Sequence, residues 1–111
     1  MIILTISVKV LPSKRNELLS AFRLFTEQTR HTKGCEACRI FQDIDDDNLI
    51  NLEETWSCRP DLNTYFQSDI FSALLGAVKL LGATHEIRIS DGSHTEGMEA
   101  VHAARQEKEA N

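Results

Sequence analysis

A glutamate and the chain's only tryptophan stand two residues apart, Glu54 and Trp56, in a run that alternates like a β-strand. A period of two puts both side chains, together with Leu52, on one face of that strand. A carboxyl group beside an indole is the material of an acid–base site, because burial against an apolar ring disfavours ionisation and favours the neutral form. Nine residues further on stands Tyr65, the only tyrosine, whose phenol can donate to a ligand oxygen. If the Glu54–Trp56 face turns toward the helices, Trp56, Glu54 and Tyr65 surround an aromatic-lined pocket that orients a flat ligand. Core packing is the competing reading, since a lone tryptophan serves equally as a core anchor.

Two other clusters have the look of chemistry. Asp43, Asp45, Asp47 and Glu54 fall at the first, third, fifth and twelfth positions of a calcium-binding EF-hand loop. Asn48 stands where that loop's sharp turn wants glycine, and both flanks alternate as strands instead of forming helices. A solvated acidic hairpin turn is the better reading. Cys35 and Cys38 have C-x-x-C spacing, with His31 and Cys58 as conceivable further zinc ligands, but no second close-spaced pair follows. A redox C-x-x-C gains acidity from a helix N-terminus, and this one lies between a helix end and a strand. The three cysteines therefore read as thiols, and no metal site is expected.

These residues must be positioned by the following elements. Ile2–Val10 alternates as a first strand. Pro12 and Ser13 stop it and offer a cap to a helix carrying Leu18, Leu19, Phe22, Phe25 and Thr29, expected to run to about Lys33 and to close at Gly34. Cys38, Ile40, Gln42 and Ile44 alternate, turn through Asp45–Asn48, and return as Leu49–Ser57, a hairpin. Pro60 opens a short helix with Leu62, Tyr65 and Phe66. Ser68 or Asp69 caps another with Phe71, Leu74, Leu75, Val78 and Leu81, ended by Gly82. Thr84–Asp91 forms the last strand through His85, Ile87 and Ile89. The order βαββαβ predicts a ferredoxin-like α+β domain over residues 1–91: a four-stranded antiparallel sheet with helices on one face. Ile3 is apolar on the other face of the first strand, which suggests that a partner sheet covers it. Residues 92–111 read as a charged extension, helical or disordered, with Met98, Val101 and Ala104 as a thin apolar stripe.

Composition bounds the rest. A chain of 111 residues fits one domain whose small core would gain from a subunit interface. The net charge of −5, with no basic stripe, argues against nucleic acid, and no run is apolar enough to span a membrane. The N-terminus reads as a strand without a secretory signal's charged and apolar regions, so a cytoplasmic location is expected.

Gly34-Cys35, the acidic turn, Glu54-Thr55-Trp56 and Ser68-Asp69-Ile70-Phe71, taken together over residues 2–91, resemble the antibiotic biosynthesis monooxygenase family. The resemblance implies a homodimeric α/β barrel in which two sheets pack face to face and each subunit keeps a pocket between its sheet and helices. Family members that are enzymes oxidise phenols or quinols with molecular oxygen, using no metal or flavin cofactor. It thus implies a cofactor-independent monooxygenase acting on a small aromatic molecule, with Trp56, Glu54 and Tyr65 in catalytic roles. Cys38, Leu52, Phe66, Phe71, Leu75 and His85 would contact the substrate. The alternative is a non-catalytic dimeric binding module of the same fold. Some members carry Asn where this chain has Leu52 and His where it has Tyr65. The haem-degrading branch has polar residues at positions approximating Leu75 and Ser7, so haem is not expected.

Overall fold

The computed structural model describes residues 1–91 and 98–110. Strand β1 spans Ile2–Val10, helix α1 Arg15–Thr29, β2 Cys35–Gln42, β3 Leu49–Trp56, α2 Arg59–Phe66, α3 Asp69–Leu81, β4 Gly82–Ser90 and α4 Met98–Ala110. The sheet is antiparallel throughout in the order β2-β3-β1-β4, the ferredoxin-like arrangement expected from the element order. Leu4, Ile6, Val8 and Val10 of β1 face the helices with Ile50, Leu52, Glu54 and Trp56 of β3, and all eight are buried. Against them lie Leu18, Phe22, Thr26 and Thr29 of α1, Leu62 and Tyr65 of α2, and Phe71, Leu74, Val78 and Leu81 of α3.

Several boundaries differ from the sequence reading. Ser13 does not cap α1. Pro12–Lys14 forms a single 3₁₀ turn before it, because proline suits a first turn in which its missing N–H is not needed. Helix α1 ends at Thr29, four residues before Lys33, and Gly34, with φ of +90°, turns the chain into β2 instead of closing the helix. Strand β2 begins at Cys35, and Ile44 lies outside it, fully in the acidic turn. That turn is made by its aspartates. Asp43 Oδ2 accepts from the amides of Asp45 and Asp46 at 3.0 and 2.9 Å, and Asp46 Oδ1 accepts from Asn48 N at 3.0 Å.

Strand β2 also carries a bulge. Cys35 lies opposite Trp56 and Ala37 opposite Thr55, so Glu36 is an extra residue. Strict alternation would place Cys35 and Cys38 on opposite faces; the bulge brings both to the helix side. On the outer face lie Ile3, Thr5 and Ser7 of β1, Asn51, Glu53 and Thr55 of β3, Arg39 and Phe41 of β2 and Glu86 and Arg88 of β4. Ile3 and Phe41 are thus apolar residues on an otherwise mainly polar surface. The helix layer is offset from β4, whose inward residues His85, Ile87 and Ile89 stay exposed.

Ser68 caps α3 by accepting from Phe71 N at 3.2 Å. Helix α3 passes without a loop into β4 at Gly82. A Cβ there would sit 2.7 Å from both the Val78 carbonyl oxygen and Val8 Cγ1, so only glycine allows the helix end to touch β1 so closely. Part of the charged extension is helix α4, and positions 92–97 and 111 fall outside the described residues. Gly82→Ala is expected to destabilise the domain by about 1–3 kcal/mol through overpacking. Urea unfolding checks this, with a lowered midpoint at an unchanged slope.

Candidate active site

Register places the chemistry. Strand β3 alternates inward at Leu52, Glu54 and Trp56, and the flanking strands set Cys38 of β2 and Leu4 of β1 on either side of Glu54. Helix α2 begins three residues after Trp56, and Pro60 in its first turn fixes its start. Its buried positions, Leu62 and Tyr65, lean back over the end of β3. Tyr65 consequently stacks on Trp56 with ring centroids 4.6 Å apart and planes tilted by 34°. Phe71 meets the Tyr65 ring edge-on at 5.3 Å, and Phe66 packs on Phe71 at 4.9 Å.

The two polar tips of this aromatic group converge on one carboxyl. Trp56 Nε1–H donates to Glu54 Oε1 at 3.2 Å, and the Tyr65 hydroxyl donates to Glu54 Oε2 at 3.0 Å. Behind Tyr65, the Thr29 hydroxyl lies 3.4 Å from the phenol oxygen. Glu54 and Trp56 are 0% exposed and Tyr65 1%. Desolvation raises the Glu54 pKa from an ordinary 4.5 to about 7, against the opposing pull of the Tyr65 and Trp56 donors. The Tyr65 phenol is pushed well above its usual range, first by desolvation and then by the neighbouring carboxylate. Glu54 is therefore poised to change protonation near neutral pH while Tyr65 remains a donor.

Two hydrogen-bond patterns fit the same heavy atoms. With Glu54 ionised, its oxygens accept from Trp56 and Tyr65. With Glu54 protonated, Oε2–H can donate to the Tyr65 oxygen, whose own proton turns to Thr29 Oγ1. A proton gained at Glu54 thus has a short chain of hydroxyls to reorganise along, leading to α1.

Trp56, Glu54 and Tyr65 are brought together, with Cys38, Leu52, Phe66 and Phe71 close around them or around their rings. Leu75 is half-buried on α3 against the same core. His85 is set apart. It pairs with Val8, whereas Glu54 pairs with Leu4, so His85 lies on the edge strand, toward the sheet's other end, and is exposed. The alternation of β4 gave its face correctly but could not show that the helices stop short of that strand. The expected pocket between sheet and helices is filled by the side chains that were to line it. Sequence reasoning missed Thr29 as a partner of Tyr65; two threonines three apart on an apolar stripe, Thr26 and Thr29, were the available signal.

A four-stranded antiparallel sheet covered on one face, with a buried Glu-x-Trp strand beneath a tyrosine, defines a ferredoxin-like domain with an interior carboxyl site. A model of the antibiotic biosynthesis monooxygenase family matches residues 1–76, and the chain belongs to that family. An uncharacterized protein of Synechocystis is 30% identical over 84 residues, 75% of this chain and 57% of that protein's length. The chain thus spans somewhat more than half of this relative. Among solved structures, an antibiotic biosynthesis monooxygenase aligns with a TM-score of 0.76 at 20% identity, covering 85% of this chain and all of the other. A Mycobacterium tuberculosis protein aligns at 0.77 and 15% identity, covering 86% and 98%. At these identities the structures establish the shared fold.

The Glu54 pKa has a thermodynamic consequence. In the unfolded chain the carboxyl ionises near 4.5, and in the folded protein near 7. Between those values the folded state holds a proton that the unfolded state has lost, so this group's contribution falls as pH rises from 4.5 to 7 and is level above. The total loss is about 3 kcal/mol. Glu54→Gln, whose amide can serve Trp56 and Tyr65 without titrating, is expected to flatten that segment. Urea unfolding of both proteins at pH 5, 6, 7 and 8 measures it.

Proposed function

We propose that the protein is a cofactor-independent monooxygenase of a small phenolic or quinol-like molecule. The observation that carries this reading is the buried Glu54 carboxyl, poised near neutrality between the Trp56 N–H and the Tyr65 O–H. Oxidation by molecular oxygen without a flavin or metal requires a substrate electron-rich enough to reduce oxygen itself, which a phenol becomes on losing its proton. Ionised Glu54 takes that proton, the Trp56 and Tyr65 rings hold the flat anion, and the apolar core excludes water. For hydroquinone the balance is one oxygen molecule consumed and 2-hydroxybenzoquinone and water formed. One oxygen atom bonds to ring carbon, the O–O bond breaks, and the second atom leaves as water with protons and electrons drawn from the substrate. The Tyr65 phenol is a donor for the developing oxyanion.

Because the three side chains are packed against one another, the ligand makes its own room on binding. This closed core favours a second reading, a dimeric module that binds a small aromatic molecule without turnover. A hydroquinone that raises the melting temperature while no oxygen is consumed would establish it in place of the first.

In either reading the site sits in a domain of residues 1–91 that pairs with a second copy through the outer sheet face. That face supports the pairing by its central, half-buried Thr5, Ser7 and Thr55 and by Asn51, whose buried Oδ1 has no partner among the described residues. Sedimentation of the wild type is expected to give twice the 12.5 kDa chain mass, and Thr5→Arg with Ser7→Arg the single mass.

Oxygen uptake by chelator-treated protein with hydroquinone, corrected for autoxidation, tests the oxygenase directly. Uptake is expected with kcat/KM rising through about pH 7 as Glu54 ionises. Glu54→Gln should lower kcat by about 10²–10⁴-fold. Trp56→Phe should cost about tenfold or more through lost positioning, with the dimer intact. Unchanged activity in both variants would remove these residues from the chemistry.

A further inference from the structure

Glu54 has a small neighbour on the side of the sheet edge. Cys38 pairs with it across β2 and β3, so thiol and carboxyl adjoin on the helix-side face. Beyond Cys38 the surface is concave. A hollow of about 360 Å³ lies between the end of α1 and β2, lined by Arg30, Cys35, Glu36, Ala37, Cys38 and Arg39. The Glu36 bulge creates the thiol wall of this hollow, by turning Cys35 to the same side as Cys38.

Three observations mark the hollow as more than a surface dimple. First, Thr26 is 3% exposed and its hydroxyl faces the Cys38 thiol, so a buried hydroxyl–thiol pair stands behind the wall. Second, the Cys38 thiol is pushed up to about 12, by desolvation and then by Glu54, so the wall is neutral and apolar at physiological pH. Third, Arg30 and Arg39 both line the hollow, with Glu36 beside them and Glu27 paired to Arg30. Arg30 Nη2 donates to the Cys38 carbonyl at 3.1 Å, which fixes its head over the hollow, and its contact with Glu27 is long at 3.6 Å. Arg39 makes no ion pair among the described residues.

We propose that this hollow is the mouth of the Glu54 site and that Arg30 and Arg39 make it selective for aromatic molecules bearing a carboxylate. The inference rests on the reading that the Glu54 site takes a small aromatic ligand. A ring entering here passes the smallest side chain that walls off Glu54, comes up against the Thr26 hydroxyl beside that thiol, and leaves its carboxylate at the rim, where planar guanidinium groups bind such anions in preference to neutral rings. The phenolic end then faces Glu54 and Tyr65.

The protein carries its own reporters. Cys35 is half-buried in the hollow, Cys58 is exposed elsewhere, and Trp56 is the only tryptophan. Alkylation of the intact protein by iodoacetamide, followed by peptide mass spectrometry, reads the mouth, with Cys58 as internal reference. Gentisate, a hydroquinone with a carboxylate, is expected to slow Cys35 alkylation about tenfold at ten times its Kd while Cys58 is unaffected, and to quench Trp56 fluorescence. Hydroquinone itself should bind more weakly. Arg30→Gln should weaken gentisate about tenfold and leave hydroquinone unchanged. Since Arg30 also holds the Cys38 carbonyl, Arg39→Gln is the second variant, with a loss of the same sign. Trp56 quenching without protection of Cys35, or no response of either reporter to gentisate, overturns the mouth, whatever the oxygen assay gives. Equal protection by both ligands, unaltered in the variants, overturns the anion selectivity. Protection of Cys35 without oxygen uptake keeps the mouth and removes the oxygenase.

Discussion

A carboxyl group with no exposed surface, placed in the middle of one face of a four-stranded sheet, is the constraint that organises this molecule. Ionising such a group in an apolar interior is costly unless donors meet it, and leaving its oxygens unpartnered costs free energy in either protonation state. Glu54 is met by two donors from different parts of the chain, the indole two residues along its own strand and the phenol of α2. The position of α2 over the end of β3 is thereby tied to a hydrogen bond as well as to packing. At eight residues that helix is too short to be stable alone, so its tertiary contacts must hold it.

The same constraint reaches α1. Tyr65 can serve Glu54 in both protonation states only if a further group takes up its hydroxyl proton when Glu54 is neutral, and Thr29 is in reach to do so. This accounts for a buried threonine on a helix stripe where an aliphatic residue would pack as well. Such a network brings β3, α2 and α1 to a common point. It also makes the site a set of coupled groups, so single substitutions there will not add simply.

Legibility in the sequence followed how local each feature is. The alternation of Leu52, Glu54 and Trp56 and the helical spacing around Tyr65 sufficed to put these side chains on facing surfaces, because strand and helix periods are properties of neighbouring residues. The βαββαβ order was legible for the same reason. The Glu36 bulge was not: nothing in Cys35-Glu36-Ala37-Cys38 distinguishes a strand with an extra residue from a tight turn before a strand. The misplacement of His85 has a similar origin, since the offset of the helix layer from β4 depends on how α1 and α3 share the sheet and not on β4 itself. The outer face gave a weaker signal, because the apolar Ile3 of β1 sits among polar cross-strand neighbours, Thr55 and Ser90.

These local and non-local features combine at the edge strand. An unpaired edge is a hazard in any sheet, commonly relieved by charge or a bulge, and β2 has both: Glu36 interrupts its regular pairing and Arg30 covers the Cys38 carbonyl. Those protective devices have a second effect. The bulge turns Cys35 inward beside Cys38, and the guanidinium that covers the edge hangs over the thinnest wall of the Glu54 site. A sheet edge guarded in this way can acquire a ligand-facing mouth without rearrangement of the core, because the bulge opens the thiol wall while the guanidinium that covers the edge carbonyl is also the group that attracts an anion.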